Sequence, residues 1–97
     1  MKITEQQKRH LRGLAHSLKP VVMVGQHGLK ATIFEELETA LNAHELIKLR
    51  IAADRDERKD LTAQIIKQTG AELIQAIGQM SIIYRRNRKD PKIALPK

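Results

Sequence analysis

The chain has 97 residues, of which 41% are hydrophobic and 30% are charged, proportions that suit one globular domain rather than a disordered segment. Lysine and arginine outnumber aspartate and glutamate by 18 to 11, and the resulting net charge of +7 makes polyanions the natural partners. Cysteine is absent, which excludes disulfides, thiolate catalysis and cysteine-ligated zinc and agrees with a cytoplasmic location. We expect no membrane span and no signal peptide, because the longest apolar run has four residues.

The first predicted element is a helix that begins after Thr4, where Thr-Glu-Gln-Gln matches a capping box. Its apolar stripe consists of Leu11, Leu14, Ala15 and Leu18. Pro20 is expected to end the helix. A ridge of basic residues runs beside the stripe: Lys8, Arg9, Arg12, His16 and Lys19. No acid after Glu5 interrupts this ridge, which therefore indicates either a polyanion contact or a solvated helix face.

Residues 21–24 are all apolar, the pattern of a strand buried on both faces, and we place this strand inside the sheet. The glycine turn that follows consists of Gly25, Gln26, His27 and Gly28. Its glycines allow close approach of a ligand, and the next helix starts with unpaired amides, so the turn is a candidate phosphate site. Lys30 and His27 could add donors. A turn that binds nothing remains the alternative for an isolated GxxG.

The next two predicted elements differ in the spacing of their apolar residues. Apolar residues at helical spacing from Ile33 to His44 predict a second helix. Its outward face carries Glu35, Glu36 and Glu38. Residues 47–51 alternate between apolar and basic, which predicts a strand with Lys48 and Arg50 opposite its buried face.

A third helix and a hairpin complete the predicted fold. Asp54 and Asp56 can cap the helix, and Gly70 is well suited to end it. Residues 72–77 and 80–86 predict two strands joined by a tight turn.

The element order αβαβαββ predicts an α/β domain in residues 1–86, with three helices and a four-stranded mixed sheet. The strand-helix-strand units require parallel neighbours, whereas the final hairpin is antiparallel. Residues 87–97 form a basic tail with two prolines that we expect to be irregular and partly mobile.

Three stretches, VGQHGL, ELIKLRI and GAELIQAIGQMSIIYRRN, resemble the CRM domain, named for chloroplast RNA splicing and ribosome maturation. The match spans nearly the whole chain and looks most like the small bacterial YhbY-type proteins. This resemblance implies a fold similar to the C-terminal domain of bacterial initiation factor three. It also implies RNA binding, association with precursors of the large ribosomal subunit, and an RNA contact at residues 25–28.

Family loops often carry a lysine between the glycines, whereas this chain has Gln26 and His27, which are neutral near pH 7 unless the histidine is protonated. We therefore expect the basic ridge to supply much of the attraction. The only aromatic residues are Phe34 and Tyr84, so phosphates, 2′-hydroxyls and the shape of structured RNA are the expected targets. The predicted RNA contacts are Lys8, Arg9, Arg12, Lys19, Gly25, Gln26, His27, Gly28, Lys30, Arg85, Arg86 and Arg88.

The sequence shows no residue pattern typical of an enzyme. The four histidines form no HExxH motif or close ligand pair, so we assign no metal and no cofactor. The glutamates of the second helix look like exposed charges rather than an acid/base pair, and no small-molecule substrate is indicated. The expected partner is ribosomal RNA, bound by a monomer. A general nucleic-acid-binding protein and a protein-interaction domain with an acidic helix remain the alternatives.

Overall fold

The computed structural model describes residues 3–25 and 28–96. Within them lie three helices, α1 (Glu5–Ala15), α2 (Ala31–His44) and α3 (Arg55–Thr69). The strands are β1 (Pro20–Val24), β2 (Leu46–Ile51), β3 (Glu72–Ile77) and β4 (Met80–Tyr84). Their order along the chain confirms the predicted αβαβαββ arrangement. Of the described helices, none is long and apolar enough to cross a membrane.

The strands form one mixed sheet in the order β1-β2-β4-β3. β1 lies parallel to β2, whereas β4 is antiparallel to both of its neighbours. The expectation of parallel neighbours is wrong for β2 and β3, which run in the same direction but are separated by β4. The expectation that residues 21–24 lie inside the sheet is wrong, because β1 is an edge strand in which Val21 is 50% exposed and Met23 63% exposed. The physical reason is that α2 covers one face of β1, whereas α1 packs on β2 and β3. Pro20, which lacks an N–H group, is tolerated at such an edge.

The start of α1 follows the predicted signal. The amide of Gln7 donates to Thr4 Oγ1 (3.1 Å) and the amide of Thr4 donates to Gln7 Oε1 (3.0 Å), which completes the capping box. The helix is shorter than predicted, since it ends at Ala15 rather than near Pro20. Leu18 still joins the core, from a turn in which its amide donates to the carbonyl of Ala15 (3.0 Å).

The ends of α3 are also set by local residues. Asp54 precedes the helix and accepts a hydrogen bond from the amide of Glu57 (2.9 Å). Gly70 ends it with φ of 74°, a left-handed conformation in which a side chain would be strained. These observations confirm Asp54 and Gly70 as caps, whereas Asp56 lies inside the first turn of the helix.

The sheet carries a hydrophobic cluster on each side. On the first, α2 and α3 cover a cluster that includes Leu37, Leu41, Ile47, Leu49, Ile65 and Ile83. On the second, α1 covers Leu46, Ile74, Ile82 and Tyr84 with its own Leu11 and Ala15. We call these the α2–α3 side and the α1 side. Apart from the register shifts in β1 and β3, alternate side chains along each strand point to opposite sides.

Beyond Tyr84 the described chain forms neither helix nor strand. Ile93 and Leu95 pack against the cluster on the α1 side. Gln7 Nε2 donates to the carbonyl of Pro96 (2.9 Å), so the last described residues lie against the start of α1. The division into a domain of residues 1–86 and a separate tail stays a prediction.

Candidate nucleic-acid interface

The basic ridge lies on the flank of α1. Residues four apart share a helix face, so Lys8 and Arg12 lie in one row, and both are half-buried. Arg9 is exposed beside them, and His16 continues the row just after the helix ends. Lys19 is exposed in the turn that leads to β1. Four of the predicted contacts are thus solvent-accessible cations on or next to one helix.

A groove of about 550 Å³ separates α1 from the part of the sheet that it leaves uncovered. It is lined by Arg12, Gly13, His16, Lys48, Gln75, Ile77, Met80 and Ile82. Arg12 and His16 belong to the α1 segment and Lys48 to β2, so cationic groups from distant parts of the chain meet here. Of the described residues that line it, none is acidic. We call this feature the α1–sheet groove.

Next to the groove, β2 extends the basic surface through Arg50. This residue pairs with Met80 on β4 and Met23 on β1, so the three side chains cross the α1 side of the sheet in one row. Arg50 is exposed, and its Nε donates to Gln79 Oε1 (3.2 Å). Lys48 and Arg50 were not among the predicted contacts. The alternation of β2 could have identified them, because it already placed both opposite the buried face.

The glycine turn lies at the same end of the sheet as Arg50, because β1 and β2 are parallel and Gly25 directly follows β1. Gln26 and His27 lie outside the described residues. The amide of Gly28 donates to the carbonyl of Gly25 (3.1 Å), and Gly28 has φ of 72°. Gly25 lies outside the left-handed region, and a Cβ there would meet open space. The backbone conformation therefore favours glycine at position 28 but not at position 25.

The start of α2 faces this turn. Lys30 occupies the N-cap position without a side-chain hydrogen bond to the helix, and the first turn contains no acidic residue. Within the described part of the chain, these first amides thus have no side-chain cap, and the helix dipole favours an anion there. An RNA contact at the turn stays a prediction, compatible with this geometry.

Arg85 differs from the other predicted contacts because its side chain bonds to the α2–α3 side. Its guanidinium donates to Glu38 Oε2 (2.6 Å), the carbonyl of Thr69 (2.8 Å) and Asn42 Oδ1 (3.0 Å). These bonds connect the end of β4 to α2 and α3, a structural role that the sequence did not indicate. An RNA contact by Arg85 also stays a prediction. Arg86 and Arg88 are exposed, and Arg86 lines a hollow beside Gln7 and the tail.

Glu45 is a fully buried carboxylate that holds the tail in place. Oε1 accepts hydrogen bonds from the amides of Lys92 (2.6 Å) and Ile93 (2.7 Å), and Oε2 accepts one from the amide of Asn87 (2.6 Å). Burial raises the pKa of the Tyr84 phenol, and the charge of Glu45 acts in the same direction, against a smaller opposing effect of the Arg86 guanidinium. The sequence does not indicate this role of Glu45, because its partners are main-chain groups more than 40 residues away.

Comparison with known proteins reveals relatives along nearly the whole chain. The model of the CRS1/YhbY (CRM) domain matches residues 3–85. A Pseudomonas aeruginosa protein named a probable RNA-binding protein is 43% identical over 93 residues, which are 95% of this chain and 89% of the relative. An RNA-binding protein of Haemophilus influenzae is 43% identical over 96 residues, which are 98% of this chain and 96% of the relative.

A solved structure shares the fold. The solution structure of a Staphylococcus aureus protein, described as a candidate RNA-binding protein, is 34% identical and matches with a TM-score of 0.83. The match covers 98% of this chain and 100% of the other. The predicted α/β fold and the predicted resemblance are confirmed.

Proposed function

The chain belongs to the CRS1/YhbY (CRM) domain family, and from this premise we propose that it binds structured RNA with the α1 side of its sheet. The observation that carries the proposal is the distribution of charge over the two sides. Arg12, His16 and Lys48 meet in the α1–sheet groove, whereas the exposed Glu35 and Glu36 lie on α2, across the sheet. A surface of this kind attracts phosphates and releases their counterions. The relatives named as RNA-binding proteins support the same assignment.

The aromatic residues favour recognition of phosphates and shape. Tyr84 is buried, and Phe34 packs against the cluster on the α2–α3 side. Neither ring offers a platform on which several bases could stack. We assign the contacts to the basic ridge, Lys48 and Arg50 of β2, the glycine turn, and Arg86 and Arg88. The RNA is ribosomal RNA in precursors of the large subunit, where the chain acts as a cytoplasmic monomer that assists assembly without catalysis. This last assignment rests on the family resemblance.

A pair of charge-matched double variants tests the surface. Arg9→Gln with Arg12→Gln removes two cations from α1, and Lys59→Gln with Lys67→Gln removes two from α3. Affinity for a fragment of large-subunit ribosomal RNA is measured over a range of salt concentrations. Log affinity falls as log salt rises, and we expect the α1 variant to make this slope less steep by roughly two. The α3 variant should leave the slope unchanged. Equal losses in both variants would show that only net charge matters and would refute the assigned surface.

Sedimentation of a gentle cell extract at low salt tests the ribosomal role. We expect the protein to comigrate with large-subunit precursors, to leave them at higher salt, and to do so at lower salt in the α1 variant. Recovery only in the unbound fractions would refute the ribosomal role even if purified RNA is bound. Equal competition by duplex DNA would instead favour a general nucleic-acid-binding protein, since phosphate contacts alone do not distinguish the two.

A further inference from the structure

The α1–sheet groove has an apolar floor between its cationic groups. Ile77 is 60% exposed and pairs with the half-buried Met80 across the hairpin, and Ile82 continues the floor towards the core. Attraction of phosphate requires only charge and hydrogen-bond donors, so it does not account for exposed apolar side chains at this place. The groove therefore offers a second kind of contact beside its cations.

A polar side chain is aimed into the same groove by a backbone irregularity. The register of β3 shifts between Leu73, which pairs with Ile83, and Gln75, which pairs with Ile82. Without this bulge Gln75 would lie opposite Ser81 and point to the α2–α3 side. β-Bulges commonly redirect side chains next to functional sites. Here the bulge turns an amide with both donor and acceptor groups towards the groove.

We infer that the α1–sheet groove receives one unpaired nucleotide of the bound RNA. The base lies against Ile77 and Met80, its edge bonds to the amide of Gln75, and the adjoining phosphates face Arg12 and Lys48. This inference rests on the proposed RNA binding and states which part of the RNA the surface recognises. Single-stranded loops and bulges present splayed bases of this kind.

The size and charge of the groove fit this occupant. Its volume of about 550 Å³ falls within the range of roughly 300–1,000 Å³ in which proteins hold small ligands. Two of the eight lining residues, Arg12 and Lys48, are cationic, a third is His16, and none of these described residues is acidic. An apolar peptide would cover these cationic groups without a partner, whereas a nucleotide supplies apolar surface and negative charge together.

Three versions of one RNA hairpin separate base recognition from phosphate recognition. The first stem is fully paired, the second carries a single bulged adenosine, and the third has an abasic site at that bulge. We expect the protein to bind the adenosine bulge about fivefold more tightly than the abasic bulge, the factor that burying about 40 Å² of apolar surface supplies. Ile77→Ala should remove this preference and keep the affinity for the paired stem. Leu73→Ala is the matched control, because Leu73 is 38% exposed on the same strand but points to the other side.

Each outcome distinguishes the two proposals. Equal affinity of the native protein for all three RNAs would overturn the nucleotide site and leave RNA binding intact. Failure to bind any of them at low salt would overturn both. A preference that survives Ile77→Ala, or one lost in Leu73→Ala as well, would place the base outside the groove. The comparison between adenosine and abasic bulges uses only the native protein, so it does not depend on the folding of a variant.

Discussion

Glu45 is the residue whose replacement tests the docking of the tail most directly. Its carboxylate is fully buried and accepts three main-chain hydrogen bonds, two at Oε1 from Lys92 and Ile93 and one at Oε2 from Asn87. Glu45→Gln retains the size of the side chain. With the amide oxygen facing Lys92 and Ile93, however, its NH₂ group would face the N–H of Asn87, so two donors would oppose each other.

The expected loss of unfolding free energy follows from these three hydrogen bonds. Hydrogen bonds to a charged acceptor contribute at least about 1.5 kcal/mol each, so the three together contribute at least about 4.5 kcal/mol. Removing the carboxylate recovers part of its own desolvation, which reduces the net loss. For Glu45→Ala we therefore expect the free energy of unfolding to fall by about 2–4 kcal/mol. Glu45→Gln loses one bond and leaves one donor opposed, which corresponds to about 1–3 kcal/mol.

Urea denaturation measures this loss, and amide hydrogen exchange shows where it arises. We expect the amide of Asn87 to lose protection in both variants and the amides of Lys92 and Ile93 to lose it in Glu45→Ala, whereas the amides of β2 and β4 remain protected. Glu36→Gln is the matched control, because it makes the same chemical change at an exposed position of α2 and should alter stability by less than about 0.5 kcal/mol. Unchanged stability and unchanged exchange in Glu45→Gln would refute the role of the carboxylate.

Three further predictions concern other positions. Tyr84→Phe removes a buried hydroxyl for which the described chain offers no hydrogen-bond partner, so urea denaturation at pH 7 should show equal or greater stability, by up to about 1 kcal/mol. A variant less stable than the native protein at pH 7 would indicate a hydrogen-bonded hydroxyl. Because the pKa of Tyr84 is raised in the folded state, the phenol ionises first in the unfolded state. The native protein should therefore lose stability as the pH rises above the ordinary pKa of 10.0, and Tyr84→Phe should lose less. Gly28→Ala should lower the free energy of unfolding by about 1 kcal/mol because of its positive φ, whereas Gly25→Ala should leave it unchanged, and equal losses would contradict the described turn. Lys48→Gln should make the fall of log affinity with log salt less steep by roughly one, whereas Lys67→Gln should leave it unchanged. Equal slopes in the two variants would remove Lys48 from the interface.

The ends of α3 and the start of α1 could be predicted because the residues that set them act within one turn. Thr4 and Asp54 accept hydrogen bonds from amides three residues later, and Gly70 adopts a conformation that other residues avoid. The parallel pairing of β1 with β2 likewise follows from their connection through a helix. These features could be predicted without knowing which distant segments of the chain pack against each other.

What the sequence could not specify depends on contacts between distant segments. The apolar run of residues 21–24 predicted two buried faces, but burial of its second face would have required α1 to reach β1. The alternation of β2 indicates that Lys48 points away from the buried face, but not that it meets Arg12, which depends on β2 running beside the end of α1. Arg85 illustrates the reverse case, because its bonds to α2 and the end of α3 give it a structural role that charge alone does not reveal.

The manner in which the tail docks preserves its positive charge. All three bonds to Glu45 described above come from main-chain N–H groups, so they consume none of the side-chain charge of the tail. Arg88 and Lys89 are exposed between two of these anchoring points, at Asn87 and Lys92. Loss of the Glu45 carboxylate would therefore release these cations without changing their number. RNA affinity would then fall because the tail must be ordered again on binding, and the salt slope, which counts phosphate contacts, would stay the same.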